Sequence, residues 1–245
     1  MWHALSLAAR QAVEDKKTAE GKILWLLADA CSMMLNPKSA NEPFKPLMVI
    51  DGKPSALPGT FQEETITLFS QIAEEVDDVW LRARLADLAW LLRRPRELKF
   101  ALLAIDAYRA IPLDADNWIR GGRECWDRAI RLAIMIGKGA GNRPKEMETS
   151  LLDALEKATP EDGFLALSLA NLLAENGLGH SRQSDIAKKL EVLATHYQAE
   201  GHLHRERDYF DVSAEWFQKC GDSAKAIEMI ICVAEGWVKE AIARM

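Results

Sequence analysis

Residues Trp80–Tyr108 read WLRARLADLAWLLRRPRELKFALLAIDAY. Leu81, Leu85, Leu88 and Leu92 recur at steps of four, three and four, which lays one apolar stripe along a helix. Trp80, Ala89 and Leu91 widen that stripe, as in a helix packed between others. Pro95 ends it, because proline pushes the preceding residue out of the α region, and proline is well tolerated in the first turn of a following helix. Leu98, Ala101, Leu102, Ile105 and Tyr108 then share a second helical face. The stretch predicts a tight αα-hairpin, and the rest of the chain reads as more helix pairs of the same kind. Arg84 and Asp87, three apart at the margin of the stripe, predict a structural ion pair or an aspartate accepting a hydrogen bond from Tyr108 or an indole N–H.

Composition sets the outer limits. The chain has 245 residues, 49% hydrophobic and 28% charged, enough apolar material for a continuous helical core. Its net charge of −6 argues against a molecule that binds nucleic acid by bulk charge. The charge is uneven: Arg82–Arg131 holds 11 Lys/Arg and 7 Asp/Glu, a balance of +4 against −10 elsewhere. Cys31, Cys125, Cys220 and Cys232 lack CxxC spacing and fall in helical patterns, so they read as reduced core thiols of a cytoplasmic protein. MWHALSLAAR has no basic n-region, and no apolar run is long enough to span a membrane. Of eight tryptophans, Trp25, Trp80, Trp90, Trp126, Trp216 and Trp237 lie in apolar helical patterns and are expected to space helices apart.

Taken in order, helices are expected over Trp2–Val13 and Lys22–Leu35. A proline-rich loop follows over Asn36–Gly59, with Leu47–Ile50 as a short extended piece lacking a clear partner. Thr60 and Glu63 form a capping-box pattern for a helix to about Val76, with Ile66, Phe69 and Ile72 inward; Asp77 or Asp78 caps the central hairpin. A helix over about Asn117–Ile136 follows, capped by Asp114 or Asp116, with Gly121-Gly122 weakening its start. Gly137–Asn142 reads as a flexible connector between two helical halves of a single domain, 1–245. The later helices are expected at about Pro144–Ala158, Pro160–Glu175, Gln183–Glu200, His202–Cys220 and Ser223–Arg244. Ala214, Phe217, Gly221, Ala226 and Ile230 match one tetratricopeptide-like hairpin, turning at Lys219–Asp222. The fold class is therefore all-α: about ten helices in stacked antiparallel pairs, TPR-like or α-solenoid-like, with one long loop.

The chemistry is sparse. Gly137–Asn142 fails both the Walker and the GxGxxG patterns and follows no strand. His202 and His204, with Glu206, Asp208 and His196 nearby, cannot converge from helical positions two apart, so no metal site is read there. No cofactor is implied. The remaining surface is basic. Arg120, Arg123, Arg128 and Arg131 fall within about 140° of helical arc, with Arg93, Arg94 and Arg96 at the preceding turn; this face would take an RNA backbone, a lipid headgroup or an acidic partner. Its bland counterpart is a solvated face paired with Glu124 and Asp127.

Leu81–Trp90 (LRARLADLAW), Ala101–Tyr108 (ALLAIDAY) and Ala234–Ala241 (AEGWVKEA) resemble the helical N-terminal region of bacterial proteins with the DUF4209 (DUF7380-type) architecture. Those motifs are helix-packing motifs, so the resemblance implies a fold, an uncharacterised function and no catalytic residues. Longer relatives continue into a second helical region, and the last helix here runs to the chain end without a glycine or proline stop. The expected role is a non-catalytic interaction or scaffold domain with a protein partner. The alternative is nucleic-acid binding through Arg93–Arg131 in an RNA-processing or defence setting. An enzyme is the third reading, with Arg84, Asp87 and Tyr108 the residues to inspect.

Overall fold

The structure, a computed structural model, describes residues 47–50, 53–56, 67, 69–93, 95–115 and 121–244. The expected helices Trp2–Val13 and Lys22–Leu35, and most of the 36–59 loop, lie outside the described residues. The fold is all-α, with nine α-helical segments among the described residues. Internal contacts divide the chain into two compact units, Met1–Gly141 and Asn142–Met245.

In the first unit, helical residues 69–75 bury Phe69, Ile72 and Ala73. Helix α1 is Val79–Leu92 and starts where the Asp78 carboxylate accepts the Leu81 N–H at 2.8 Å, which satisfies one of the free donors of the first turn. Leu81, Leu85 and Leu88 are buried as the spacing requires, and so are Ala83, Ala86 and Ala89 on the intervening positions. The alanines matter as much as the leucines, because a helix covered on every side needs small residues where neighbours approach. Arg93 is extended (φ −68°, ψ 142°) and α2, Leu98–Arg109, begins only after Glu97. Pro95 thus lies in the link between the helices and not in the first turn of α2. Phe100, Ala101, Ala104, Ile105 and Tyr108 form the buried face of α2, which packs along α1; Leu98, expected inward, is 42% exposed.

Helix α3 is Gly122–Ile136 and packs along α2. It starts later than the Asn117 expected from pattern. The reason is steric: a Cβ on Gly122 would sit 1.9 Å from the Pro112 carbonyl oxygen, so the glycine pair marks where the chain passes its own preceding turn before entering the helix. Trp126 donates its indole N–H to the Ile111 carbonyl at 2.9 Å, tying α3 to that turn. Gly137–Ala140, expected as a flexible connector, is a 3-10 helix entered and left through Gly137 (φ +53°) and Gly141 (φ +61°).

Outside the helices, Leu47–Ile50 (β1) pairs antiparallel with Lys53–Ala56 (β2), Ile50 opposite Lys53 and Val49 opposite Pro54. The partner strand missing from the sequence reading is thus a Lys-Pro-Ser-Ala run with no β-type composition. Pro54 is compatible with it because two residues separate the strands: Ile50–Lys53 is then the hydrogen-bonded pair, and the next pair does not use the Pro54 nitrogen.

In the second unit the helices are α4 (Arg143–Lys157), α5 (Leu165–Glu175), α6 (Gln183–Ala199), α7 (Leu203–Lys219) and α8 (Ser223–Ala243). The single helix expected over Pro160–Glu175 is instead a 3-10 turn, Pro160–Asp162, then α5. Gly163 (φ +63°) separates them, and Thr159 with Asp162 forms a capping box. α4 pairs with α5, and α7 packs along both α6 and α8. Both α7 boundaries are Schellman turns. His202 N–H bonds Tyr197 O and Gly201 N–H bonds Gln198 O; Asp222 N–H bonds Phe217 O and Gly221 N–H bonds Gln218 O. Gly201 (φ +75°) and Gly221 (φ +83°) supply the left-handed residue each turn needs. The Lys219–Asp222 turn is where the sequence placed it, and Ala214, Phe217 and Ala226 are buried around it, but Ile230 is 55% exposed.

Candidate functional site

Three helices of the first unit bring charge together at Asp87. Its side chain is 1% exposed. Arg128 of α3 meets it with two bonds, Nε to Oδ2 and Nη2 to Oδ1, each 2.7 Å, and Tyr108 of α2 donates its hydroxyl to Oδ2 at 3.2 Å. Burial works to raise the Asp87 pKa, yet the Arg128 guanidinium, with Arg84 and the Tyr108 hydroxyl, holds it below the ordinary aspartate value. Burial, reinforced by the Asp87 charge, pushes the Tyr108 phenol well above its usual range. Arg128 resists burial because Asp87 faces it, so its pKa is raised. The shifts hold Asp87 and Arg128 in their charged forms and Tyr108 as the neutral phenol. Its physical effect is to fix the register of α1, α2 and α3 through a paired, hydrogen-bonded carboxylate.

The sequence placed Arg84, Asp87 and Tyr108 together, and the structure does bring them together. It adds Arg128, which pattern had assigned to a solvated basic face. That face is otherwise largely occupied by local partners. Arg131 pairs with Asp127 at 2.7 Å. Arg93 pairs with Glu97 at 2.5 Å and reaches the Ser70 hydroxyl at 3.2 Å. Arg96 lies over the Trp90 ring, 5.2 Å from its centroid. Arg123 is half-buried at the start of α3, and Arg94 and Arg120 lie outside the described residues.

In the second unit, His196 and His202 both approach Glu200, at 3.3 and 3.6 Å, and His204 approaches Glu240 at 3.6 Å. The histidines are therefore split between two carboxylates. A cavity of about 260 Å³ is lined by Leu152, Leu155 and Ile186, with Arg182, Asp185 and Lys189 at its polar side. Arg182 there is already paired with Asp185 and Glu156.

The larger feature of this unit is on α8. Ala226, Met229, Gly236 and Glu240 face α7 and are buried. On the other side Ile227, Ile230, Ile231, Trp237, Val238 and Ile242 are 52–65% exposed. At about 100° per residue these six span roughly 140° of arc, with Ala234 and Ala241 among them and no charged residue. α8 is thus apolar on two faces and buries one. Trp237, expected to space helices, is on the open face, 55% exposed. It is nonetheless held: the Arg207 guanidinium lies 3.6 Å from the centre of its ring, and Glu240 fixes Arg207 at 2.5 Å. Arg244 also pairs with Glu240. Bonding to Arg207 lowers the Glu240 pKa, so the carboxylate stays charged.

The signal for this face was present in the sequence as an excess of apolar residues in Ser223–Ala243. Periodicity cannot say which of two apolar faces is covered, so Trp237 and Ile230 read as helix-packing positions.

The family model described as a domain of unknown function (DUF7380) matches residues 1–145, more than half of the chain. The motifs Leu81–Trp90 and Ala101–Tyr108 fall inside that match. No curated protein and no solved structure matches the chain.

Proposed function

This chain belongs to the DUF7380 family of domains of unknown function, and we propose that it is a non-catalytic helical interaction module that docks a protein partner on the open face of α8. The observation that carries this reading is the set of six large apolar side chains on one side of a helix whose other side is packed. Contiguous exposed apolar patches of that kind mark interaction sites on soluble proteins. Trp237 under the Arg207 guanidinium supports it further, since tryptophan and arginine dominate interface energetics and a ring already fixed loses little entropy on binding.

Nucleic-acid binding is supported less well, because Arg93, Arg128 and Arg131 are engaged by carboxylates and phosphate binding would have to displace them.

The test is affinity capture from native cytosol with and without nuclease, using the wild-type chain and Ile231→Asp side by side. A protein retained after nuclease treatment and lost with Ile231→Asp is the expected result. Material that vanishes on nuclease treatment, or that ignores Ile231→Asp, overturns the reading.

A further inference from the structure

We infer that the occupant of the α8 face is an amphipathic helix of another protein, apolar along one seam and basic along the flank that meets Glu228 and Glu235; this rests on the docking role proposed above. The spacing on α8 argues for a helix. Ile227, Ile231, Ala234, Val238 and Ala241 recur at steps of four, three, four and three, the seam of a two-helix packing. Ile230 and Trp237, seven apart, flank the seam on one edge. Glu228 and Glu235, also seven apart, flank it on the other.

Charge chooses the partner. Glu228 is 58% exposed and shares Lys225 at 3.1 Å, while Lys225 also bonds Glu191 at 2.8 Å. Lys239, four residues after Glu235, approaches the buried Glu206 at 3.6 Å. The acidic edge is therefore only partly neutralised from within. Residues 142–245 hold 12 Lys/Arg against 18 Asp/Glu and so carry the whole net charge of −6. A second copy of the chain is a poor occupant. Antiparallel pairing would set Glu228 of one copy against Glu235 of the other, and parallel pairing would press the acidic edge against the apolar edge of Ile230 and Trp237. A helix with lysines or arginines on that flank meets neither penalty.

The experiment uses the full chain and two synthetic four-heptad peptides with the same Leu/Ile seam, one with lysines on the flanks and one with glutamates. Dissociation constants are measured by calorimetry for the wild type, Glu228→Lys/Glu235→Lys and Val238→Asp. The expected result is that the lysine peptide binds about tenfold or more tightly than the glutamate peptide, that the double reversal inverts the preference, and that Val238→Asp abolishes binding although it adds negative charge. Equal binding of the two peptides, binding that survives Val238→Asp, or no binding at all overturns the inference. So does self-association of the chain that Ile231→Asp abolishes, which would make the occupant a second copy. If neither peptide binds while Ile231→Asp still loses a nuclease-resistant protein, the docking role stands and only this partner chemistry fails. If Ile231→Asp loses nothing, both fail.

Discussion

Asp87 and Arg128 stand 41 residues apart in sequence and meet in a two-bond ion pair, both contacts 2.7 Å, with the carboxylate 1% exposed. Removing one partner from such a pair leaves a buried charge. Arg128→Ala is expected to lower stability by about 3 kcal/mol or more. The Asp87→Ala/Arg128→Ala double variant should lose less than the sum of the two singles, because each deletion removes the reason the other is costly. Urea denaturation of the four proteins measures the coupling; additive losses would mean the pair does not act as one unit.

Tyr108→Phe is a milder test of the same cluster. It deletes a 3.2 Å bond to an oxygen that Arg128 also bonds. Asp87 stays satisfied, so the expected loss is about 1 kcal/mol, well below that of Arg128→Ala. A loss as large as that of Arg128→Ala would show that the hydroxyl, not the guanidinium, holds the carboxylate.

The same geometry fixes a sign for pH. The Asp87 pKa lies below its ordinary value of 3.8 in the folded chain. Its contribution to stability is therefore complete above the unfolded aspartate pKa and is lost as pH falls through the lower, folded one. Asp87→Asn, which lacks that titration, should show a flatter fall in urea midpoint between about pH 5 and pH 2 than the wild type. Parallel curves would remove Asp87 from the acid transition.

The helices were legible because their signals are local. Leu81, Leu85 and Leu88 announced α1, Asp77 or Asp78 its cap, and Gly221 within Lys219–Asp222 the turn between α7 and α8. The candidate sites were legible only in part. Arg84, Asp87 and Tyr108 could be grouped by spacing, but Arg128 could not be joined to them, since nothing in α3 distinguishes an arginine turned inward from Arg131, four residues from its own Asp127. The β1–β2 pairing escaped because Lys53–Ala56 lacks strand composition. The open face of α8 escaped for a different reason: burial is decided by which neighbour exists, and a helix carries no record of that in its own periodicity.

Gly221 joins α7 to α8 with φ at +83°. A Cβ there would meet nothing within 4 Å, so the cost of Gly221→Ala is conformational alone. The expected loss is about 1 kcal/mol. Gly179→Ala, at φ +79°, adds a clash, because its Cβ would lie 2.9 Å from Ile186 Cδ1 and 3.2 Å from the Trp216 ring. It should lose measurably more than Gly221→Ala in the same denaturation assay. Equal losses would mean that the Ile186 and Trp216 side chains yield freely.

Ile231 and Val238 give the sharpest check on the open face. An aspartate placed in a packed helical seam leaves a buried charge and unfolds most domains. Ile231 is 52% exposed and Val238 is 58% exposed, so here the same substitution should move stability by no more than about 0.5 kcal/mol. It should also raise solubility, because it breaks an uncharged apolar patch. Met229→Asp, on the α7-facing side of the same helix and 2% exposed, is the internal contrast and should lose several-fold more. Thermal and urea unfolding of the three variants reads the difference directly. Collapse of Ile231→Asp to the level of Met229→Asp would mean that the face is covered in the free chain, and the docking role would fall with it.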